Sequence, residues 1–446
     1  MDFDESLSYL LSLGHETLTI KLGLGNTEIL LSALGNPHNK FPAVQIAGTN
    51  GKGSTAVMLN SICRAAGVST GLFTSPHLVS ITERIKIGGK PISESDFGRF
   101  TTRVKETAEE LVKDRRLDTL PTFFEHVNAI ALLAFREARV ELAILETGLG
   151  GRLDSTTAAR ADIVAITPIA MDHEEYLGHS LAKIAAEKAA IIRSGVTAII
   201  APQKREALQS IRRQCQMSNV KPDLIEQSDI EVIDKSADGR FRVTFKTANN
   251  TYERVWLGLR GSHQIANAAV AVTLSEALRE HGFLISREAI AQGIQSASHP
   301  GRLELWEGHP RILFDGAHNP ASARALRDYL DEFVARPITM IFGAMRDKAL
   351  DEMASILFPA VNILILTEID NPRAATTEML KSTIPESFDE SQCHNASSAS
   401  EALEIAEEIT ANNGTICVTG SLYLVGTIQQ VLRDRIRFVA QQSASH

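Results

Sequence analysis

The chain is poor in cysteine, in positive charge and in long apolar runs, and each shortage removes a class of protein. Four cysteines, Cys63, Cys215, Cys393 and Cys417, are scattered over 446 residues. They form no CxxC pair and no zinc-type spacing, which argues against a disulfide framework or a cysteine-rich metal centre. Reduced thiols and a cytoplasmic location are expected. No apolar run approaches the roughly 20 residues that cross a bilayer. The opening Met1-Asp2-Phe3-Asp4-Glu5-Ser6 is acidic and lacks a signal-peptide pattern. No membrane partner is expected. Lys and Arg number 45 against 54 Asp and Glu, a net charge of −9. That balance argues against nonspecific nucleic-acid binding but leaves room for a local cationic site. Short repeats, coiled-coil heptads and low-complexity tracts are also missing.

What is present is a globular composition, 44% hydrophobic and 22% charged, in a chain long enough for two or three domains. Short apolar runs alternate with helical patterns. Strands are expected at Val44–Ala47, Leu142–Glu146, Ile163–Thr167, Ala198–Ala201, Arg311–Asp315, Ile338–Phe342, Asn362–Thr367 and Thr415–Thr419. Helices such as Ala321–Phe333 and Ser398–Thr410 separate them. The alternation predicts an α/β fold with mostly parallel sheets. Ile230–Leu257 reads instead as short antiparallel strands, with turn signals at Asp238-Gly239 and Asn249-Asn250. The small, polar stretch Ser296–Gly301 predicts a boundary between domains 1–297 and 298–446. Gln441 to His446 reads as a frayed end.

The most informative segment is Val44-Gln45-Ile46-Ala47-Gly48-Thr49-Asn50-Gly51-Lys52-Gly53-Ser54, which a helical pattern to Ala66 follows. Strand, Gly-rich turn, lysine, hydroxyl and helix is an order that holds nucleotide phosphates. The glycines let N–H groups point inward, the helix start adds positive potential and Lys52 adds a full charge. The spacing departs from a standard P-loop, because only Thr49 and Asn50 separate Gly48 from Gly51, and Gly53 stands between Lys52 and Ser54. A Gly-rich turn with a solvated lysine is the plainer alternative; the flanking strand and helix favour phosphate.

Other strand ends carry chemistry as well. Glu146 begins Glu146-Thr147-Gly148-Leu149-Gly150-Gly151-Arg152-Leu153-Asp154 at a position where open α/β sheets place ligands. It is a candidate Mg²⁺ ligand or a solvated loop carboxylate. Asp172-His173 follows another strand and can ligate or orient a metal. Lys188 lies in an alanine-rich helical stretch that permits burial. Asp315-Gly316-Ala317-His318-Asn319-Pro320 closes a strand and opens a helix, and Thr419-Gly420-Ser421-Leu422-Tyr423 repeats that logic. Two such turns suit a small anionic ligand.

Together these segments resemble folylpolyglutamate synthase/dihydrofolate synthase of the Mur ligase superfamily. The resemblance runs nearly end to end. It takes in Leu22-Gly23-Leu24, Gly48–Ser54, Thr74-Ser75-Pro76-His77-Leu78, Phe123-Phe124-Glu125, Glu146–Asp154, Asp172-His173 and Glu187-Lys188-Ala189. It continues through His263-Gln264-Ile265-Ala266-Asn267, Pro300-Gly301-Arg302, Asp315–Pro320 and Gly420-Ser421-Leu422-Tyr423. It implies a P-loop-type nucleotide-binding domain with a mostly parallel sheet and a smaller, Rossmann-like C-terminal α/β domain. The implied activity is ATP-dependent addition of L-glutamate to folates, and to dihydropteroate, through an acyl phosphate. A dedicated folylpolyglutamate synthase or another Mur-type amino-acid ligase is the alternative. By the resemblance Gly48, Thr49, Asn50, Gly51, Lys52, Gly53, Ser54, Asn267, Arg302 and Asp315 contact ATP. Ser54, Ser75, Glu146, His173 and a carboxylated Lys188 serve two Mg²⁺ ions. His318 and Ser421 hold glutamate, and Lys52, Lys188 and His318 are the catalytic set. Leu22, Gly23, Leu24, Thr122, Phe124, Leu153, Asp154 and Ser155 lie near the pterin. Small-molecule partners alone and a monomer are expected. Two departures stand out: Ala190 and Arg193 after Lys188, and Asp154-Ser155-Thr156-Thr157 where the family commonly has Asp-Ala-Thr-Asn.

Overall fold

The computed structural model describes residues 1–14 and 23–444, without the side chains of 438–444. Two sheets organise it. The first has eight strands, in spatial order Lys90–Pro91, Ile85–Ile87, Thr70–Phe73, Leu142–Glu146, Ala43–Ala47, Ile163–Ile166, Thr197–Ile200 and Asp223–Leu224. Six of these are mutually parallel, and Ile85–Ile87 with Lys90–Pro91 adds an antiparallel extension at one edge. All five residues of Ala43–Ala47 are buried, as expected of a central parallel strand covered on both faces. Val44 and Ile46 pack into one apolar layer with the helices Lys52–Ala65 and His263–Glu280. Ala43 and Ala47 pack into the other, with Phe123–Glu137.

The second sheet has the order Glu304–Trp306, Arg311–Phe314, Thr415–Thr419, Ile338–Phe342, Ile363–Thr367 and Cys393–Ala396, all parallel but for the first strand. A separate three-stranded antiparallel sheet, Ile230–Lys235, Phe241–Lys246 and Thr251–Trp256, occupies the stretch that reads differently in sequence. Ala297–Leu303 joins the last helix of the first unit, Arg287–Ser296, to the second sheet.

Strand expectations hold to within about one residue at each end. The helix after the phosphate loop starts at Lys52 rather than Ser54, because Gly51 supplies a left-handed cap at φ 87°. The C-terminal helix Leu422–Ala444 runs past Gln441, where fraying was expected; 445–446 lie outside the described residues. Among the described residues no helix is long and apolar enough to cross a membrane.

Topology places the site. Ala43–Ala47 is flanked by Leu142–Glu146 and Ile163–Ile166, and the chain leaves it in both directions. Ligands bind outside the carboxyl ends of strands at such a switch point. The phosphate loop, the Glu146–Asp154 loop and the Asp172-His173 loop leave these three neighbouring strands. In the second sheet Asp315–Pro320, Gly420-Ser421 and Gly343–Lys348 likewise leave three adjacent strands.

Candidate active site

Both sets of loops line one cavity of about 470 Å³, within the range typical of small-molecule sites. In the phosphate loop the Thr49 and Asn50 N–H groups donate to the Pro168 carbonyl, and Lys52 Nζ donates to Thr49 O at 3.2 Å. The loop sits tightly on the helix that starts at His263. A Cβ at Gly51 would lie 2.1 Å from Asn267 Oδ1, so only glycine fits. Asn267 Nδ2 donates to Gln264 Oε1 at 2.9 Å, and Gln264 Nε2 donates to Ser54 Oγ at 3.2 Å.

Glu146 ends its strand 4% exposed, where it accepts the Ser75 N–H at 3.2 Å. Burial raises its pKa against the opposing charge of Lys52, the Ser75 hydrogen bond, and the charges of Arg302 and Arg84. Such a carboxylate gains from a cation beside it. The loop beyond folds over Asp154, which is 6% exposed and accepts the N–H groups of Gly148 at 2.8 Å and Leu149 at 2.9 Å. It also accepts from the N–H and hydroxyl of Thr156. Asp154 lines the cavity, but its oxygens are engaged in shaping the loop. Gly151 packs on the helix Leu181–Ala189, where a Cβ would meet the Lys188 carbonyl at 2.7 Å.

Lys188 is 4% exposed and pairs with no carboxylate among the described residues. Burial, then the charge of Lys52, lowers its pKa to about 7, while Asp172 and Asp154 pull the other way. His173 is held neutral, its pKa lowered to about 3. Burial is the main cause, opposed by Asp172 and reinforced by Lys348, Lys188 and His318.

Asp172 is the hub of the cleft. Its oxygens lie 2.7 Å from Lys348 Nζ, 3.1 Å from Asn319 Nδ2 and 3.7 Å from His318 Nε2. Burial would raise its pKa, but the hydrogen bond of His318, electrostatic interaction with His173 and the charge of Lys348 hold it well below the usual carboxylate range. Asn319 Nδ2 also donates to Asn50 Oδ1 at 3.0 Å, tying the phosphate loop to the second sheet. His318 Nδ1 lies 2.8 Å from Gly316 O, and Ser421 Oγ accepts the Tyr423 N–H at 3.1 Å. Arg302 donates to Gly316 O at 3.1 Å. Asp315 accepts the N–H groups of Leu303 and Ala317, both at 3.0 Å. Burial raises the Asp315 pKa against Arg302 and these bonds.

Gly23, Thr122, Phe124, Leu149, Leu153 and Ser155 also line the cavity. Thr122 caps the helix Phe123–Glu137 in a reciprocal box with Glu125, and Thr27 Oγ1 donates to Glu125 at 2.8 Å. Phe124 packs on Phe73 with ring centroids 5.7 Å apart. Ser155 is 4% exposed, and its hydroxyl has no partner among the described residues.

Most expected site residues therefore meet around one cavity. Gly48, packed against Thr167, and Leu24, which precedes the helix Gly25–Ala33, are not among the lining residues, and Leu22 lies outside the described residues. Sequence reasoning noted Asp172 beside His173 and the Asn319 amide at its helix start, but not their place as hub and bridge, and it missed Lys348 and His299. Lys348 follows the strand Ile338–Phe342, so the strand-end rule could have pointed to it. His299 lay hidden in a stretch read only as a linker. Among the described residues no three His, Cys, Asp or Glu side chains converge as a metal cluster. The buried Glu146 carboxylate and the Ser54 and Ser75 hydroxyls are the oxygen donors a Mg²⁺ ion completed by phosphates and water takes, and the neutral His173 imidazole is a softer nitrogen donor beside them.

The Mur ligase middle domain family matches residues 46–275, and the Mur ligase glutamate ligase domain family matches 301–422. Dihydrofolate synthase/folylpolyglutamate synthase of Bacillus subtilis (strain 168) is 34% identical over 420 residues, covering 93% of this chain and 96% of the relative. Mycobacterium tuberculosis folylpolyglutamate synthase complexed with ADP superposes with a TM-score of 0.89 at 30% identity, covering 96% of this chain and 99% of that one. E. coli FolC in complex with DHPP and ADP gives 0.85 at 31% identity, covering 98% of both chains. Fold and cleft thus define an ATP-dependent ligase built on two α/β units. Within that class the chain belongs to the dihydrofolate synthase/folylpolyglutamate synthase family.

Proposed function

We propose that this ligase joins L-glutamate to the carboxylate of folates and of dihydropteroate, at the expense of ATP. A carboxylate is a poor electrophile. Its oxygen attacks the γ-phosphorus of ATP, ADP leaves, and an acyl phosphate results. The glutamate amine then attacks the acyl carbon, phosphate leaves with the bonding pair, and an amide forms as the nitrogen releases one proton to solvent. The attacking groups are substrates, so catalysis is positioning and charge neutralisation.

The supporting observation is the single cavity. It joins the phosphate loop, Lys188, Thr122, Phe124 and, from the second unit, His318 and Ser421. In this reading Lys52 and the Gly48–Ser54 backbone hold phosphates, assisted by Asn267, Arg302 and Asp315. His318 and Ser421 hold glutamate. Gly23, Thr122, Phe124, Leu153 and Ser155 face the pterin, with Asp154 shaping the loop between. Ser54, Ser75, Glu146 and His173 would hold two Mg²⁺ ions, which when bound neutralise charge on the phosphates. The units divide at 297/298, and the enzyme acts as a cytoplasmic monomer.

Lys188 carries a carbamate in this reading. Its neutral amine attacks the carbon of CO₂, an N–C bond forms, and one amine proton leaves to solvent. The anion so made would offset Lys52 and join the metal donors.

The test supplies dihydropteroate and a reduced monoglutamyl folate separately, each with ATP, Mg²⁺ and glutamate. Glutamylated product from both is expected. Product from the folate alone makes the enzyme a dedicated folylpolyglutamate synthase. Product from neither, in a folded sample that binds ATP, overturns the reading.

A further inference from the structure

The glycine between Lys52 and Ser54 has a physical cause. A Cβ on Gly53 would lie 2.9 Å from His299 Cε1 and 3.2 Å from Glu146 Oε2. An imidazole from the connection Ala297–Leu303 is thus packed directly over the phosphate loop. Its Nδ1 lies 3.2 Å from Ser54 Oγ. The same oxygen accepts Gln264 Nε2 at 3.2 Å, and Gln264 is itself fixed by Asn267 at 2.9 Å. One neighbour is therefore a fixed donor to Ser54, and the other offers a ring nitrogen.

A hydroxyl that ligates a cation must present a lone pair to it and send its hydrogen elsewhere. Gln264 uses one lone pair of Ser54 Oγ. If the hydrogen goes to His299, one lone pair remains. We propose that His299 is a positioning residue whose Nδ1 accepts the Ser54 hydroxyl hydrogen and so orients Ser54 Oγ toward the cation that accompanies nucleotide phosphates. The inference rests on the assignment of Ser54 to Mg²⁺ above. It gives the interdomain connection a part in the nucleotide site that its composition does not suggest. Groups that orient a ligand in this way are typically worth about 10- to 100-fold in metal affinity.

The test is a double-mutant cycle on manganese binding, read by electron paramagnetic resonance in the presence of ADP, so no turnover is needed. His299→Phe keeps an aromatic ring and removes the acceptor; Ser54→Ala removes the hydroxyl. Each single change should weaken manganese binding about 10-fold or more. The double variant should be no weaker than Ser54→Ala alone, because both changes delete one contact. Affinity for metal-free ADP should stay unchanged, and His299→Asn, whose amide oxygen can accept, should recover part of the loss. If His299→Phe does not fold, His299→Ala enters the same cycle. Manganese titrations of the His299 variant and the parent that overlay would overturn the proposal. So would losses that multiply in the double variant. A parent that binds no manganese–ADP would overturn the nucleotide reading itself.

Discussion

The two rims of the cleft differ in how their polar groups are satisfied. On the first sheet Lys188, Glu146 and Lys52 are short of partners, whereas Asp154 and Asp172 are engaged. Among the described residues, buried Lys188 pairs with no carboxylate, buried Glu146 accepts one backbone N–H, and Lys52 donates to the Thr49 carbonyl alone. On the second sheet the corresponding groups are engaged. Asp315 accepts two backbone N–H groups, Asn319 spans to Asn50 and Asp172, and Lys348 pairs with Asp172. Buried charge without a partner costs stability unless a ligand or modification supplies one. Under the proposed function, Lys188, Glu146 and Lys52 would meet ionic ligands brought from outside, while the second rim would position a smaller molecule.

The greatest loss is expected where the first rim is broken at its half-buried Lys52. Lys52→Ala should lower turnover by about 10³-fold or more, since nothing else replaces that charge at the phosphates. Its thermal unfolding should stay close to the parent's, because the side chain makes one backbone contact. Near-normal turnover at saturating ATP would remove the phosphate assignment.

Asp172→Asn sharpens the comparison from the other side. The change keeps shape but leaves Lys348, whose side chain is 9% exposed, without its counter-charge. A loss of about 3 kcal/mol in denaturant unfolding is expected. An unchanged midpoint would mean that the pair does not hold the two rims together.

Lys188→Ala should cost about 100-fold in activity, and formate should restore part of it. Intact-protein mass should show one added CO₂ in the parent and none in the variant. The unmodified amine also has a pH signature. Its folded pKa is lowered from 10.5 to about 7, so between those values the unfolded chain binds more protons. Stability then rises with pH across that window. Relative to a Lys188→Met control, CO₂-free parent protein should therefore be least stable below pH 7 and gain toward pH 10.5. A difference that stays flat with pH would contradict the burial of a titrating amine.

Ser155→Ala should give the smallest change and two opposite signs. Removing a buried hydroxyl with no partner should raise the stability of the free protein by about 1 kcal/mol. The same change should weaken pterin-substrate binding and leave the KM for ATP unchanged. Loss of stability would show that the hydroxyl is satisfied in the free protein.

How much of this was legible in the sequence follows from range. Gly48–Ser54, Glu146–Asp154 and Asp315–Pro320 announce themselves because strand, turn and helix start are local and glycine marks the close approaches. The edge pair Ile85–Ile87 and Lys90–Pro91 was not read, being too short to show a period. The Asp172–Lys348 pair joins residues 176 apart, and no local pattern encodes it. His299 sits in a segment whose small polar composition signals a connection, and only packing on Gly53 gives it a role.

The central claim is that both rims serve one reaction, and ADP release measured while each substrate is withheld tests it most directly. With the pterin carboxylate, glutamate, Mg²⁺ and ATP all present, ADP should form in step with the glutamylated product. Leaving out glutamate or the pterin should stop sustained release. ADP formation that continues at the same rate without either substrate, or full ligation by a sample with both His318 and Ser421 replaced by alanine, would contradict a shared site.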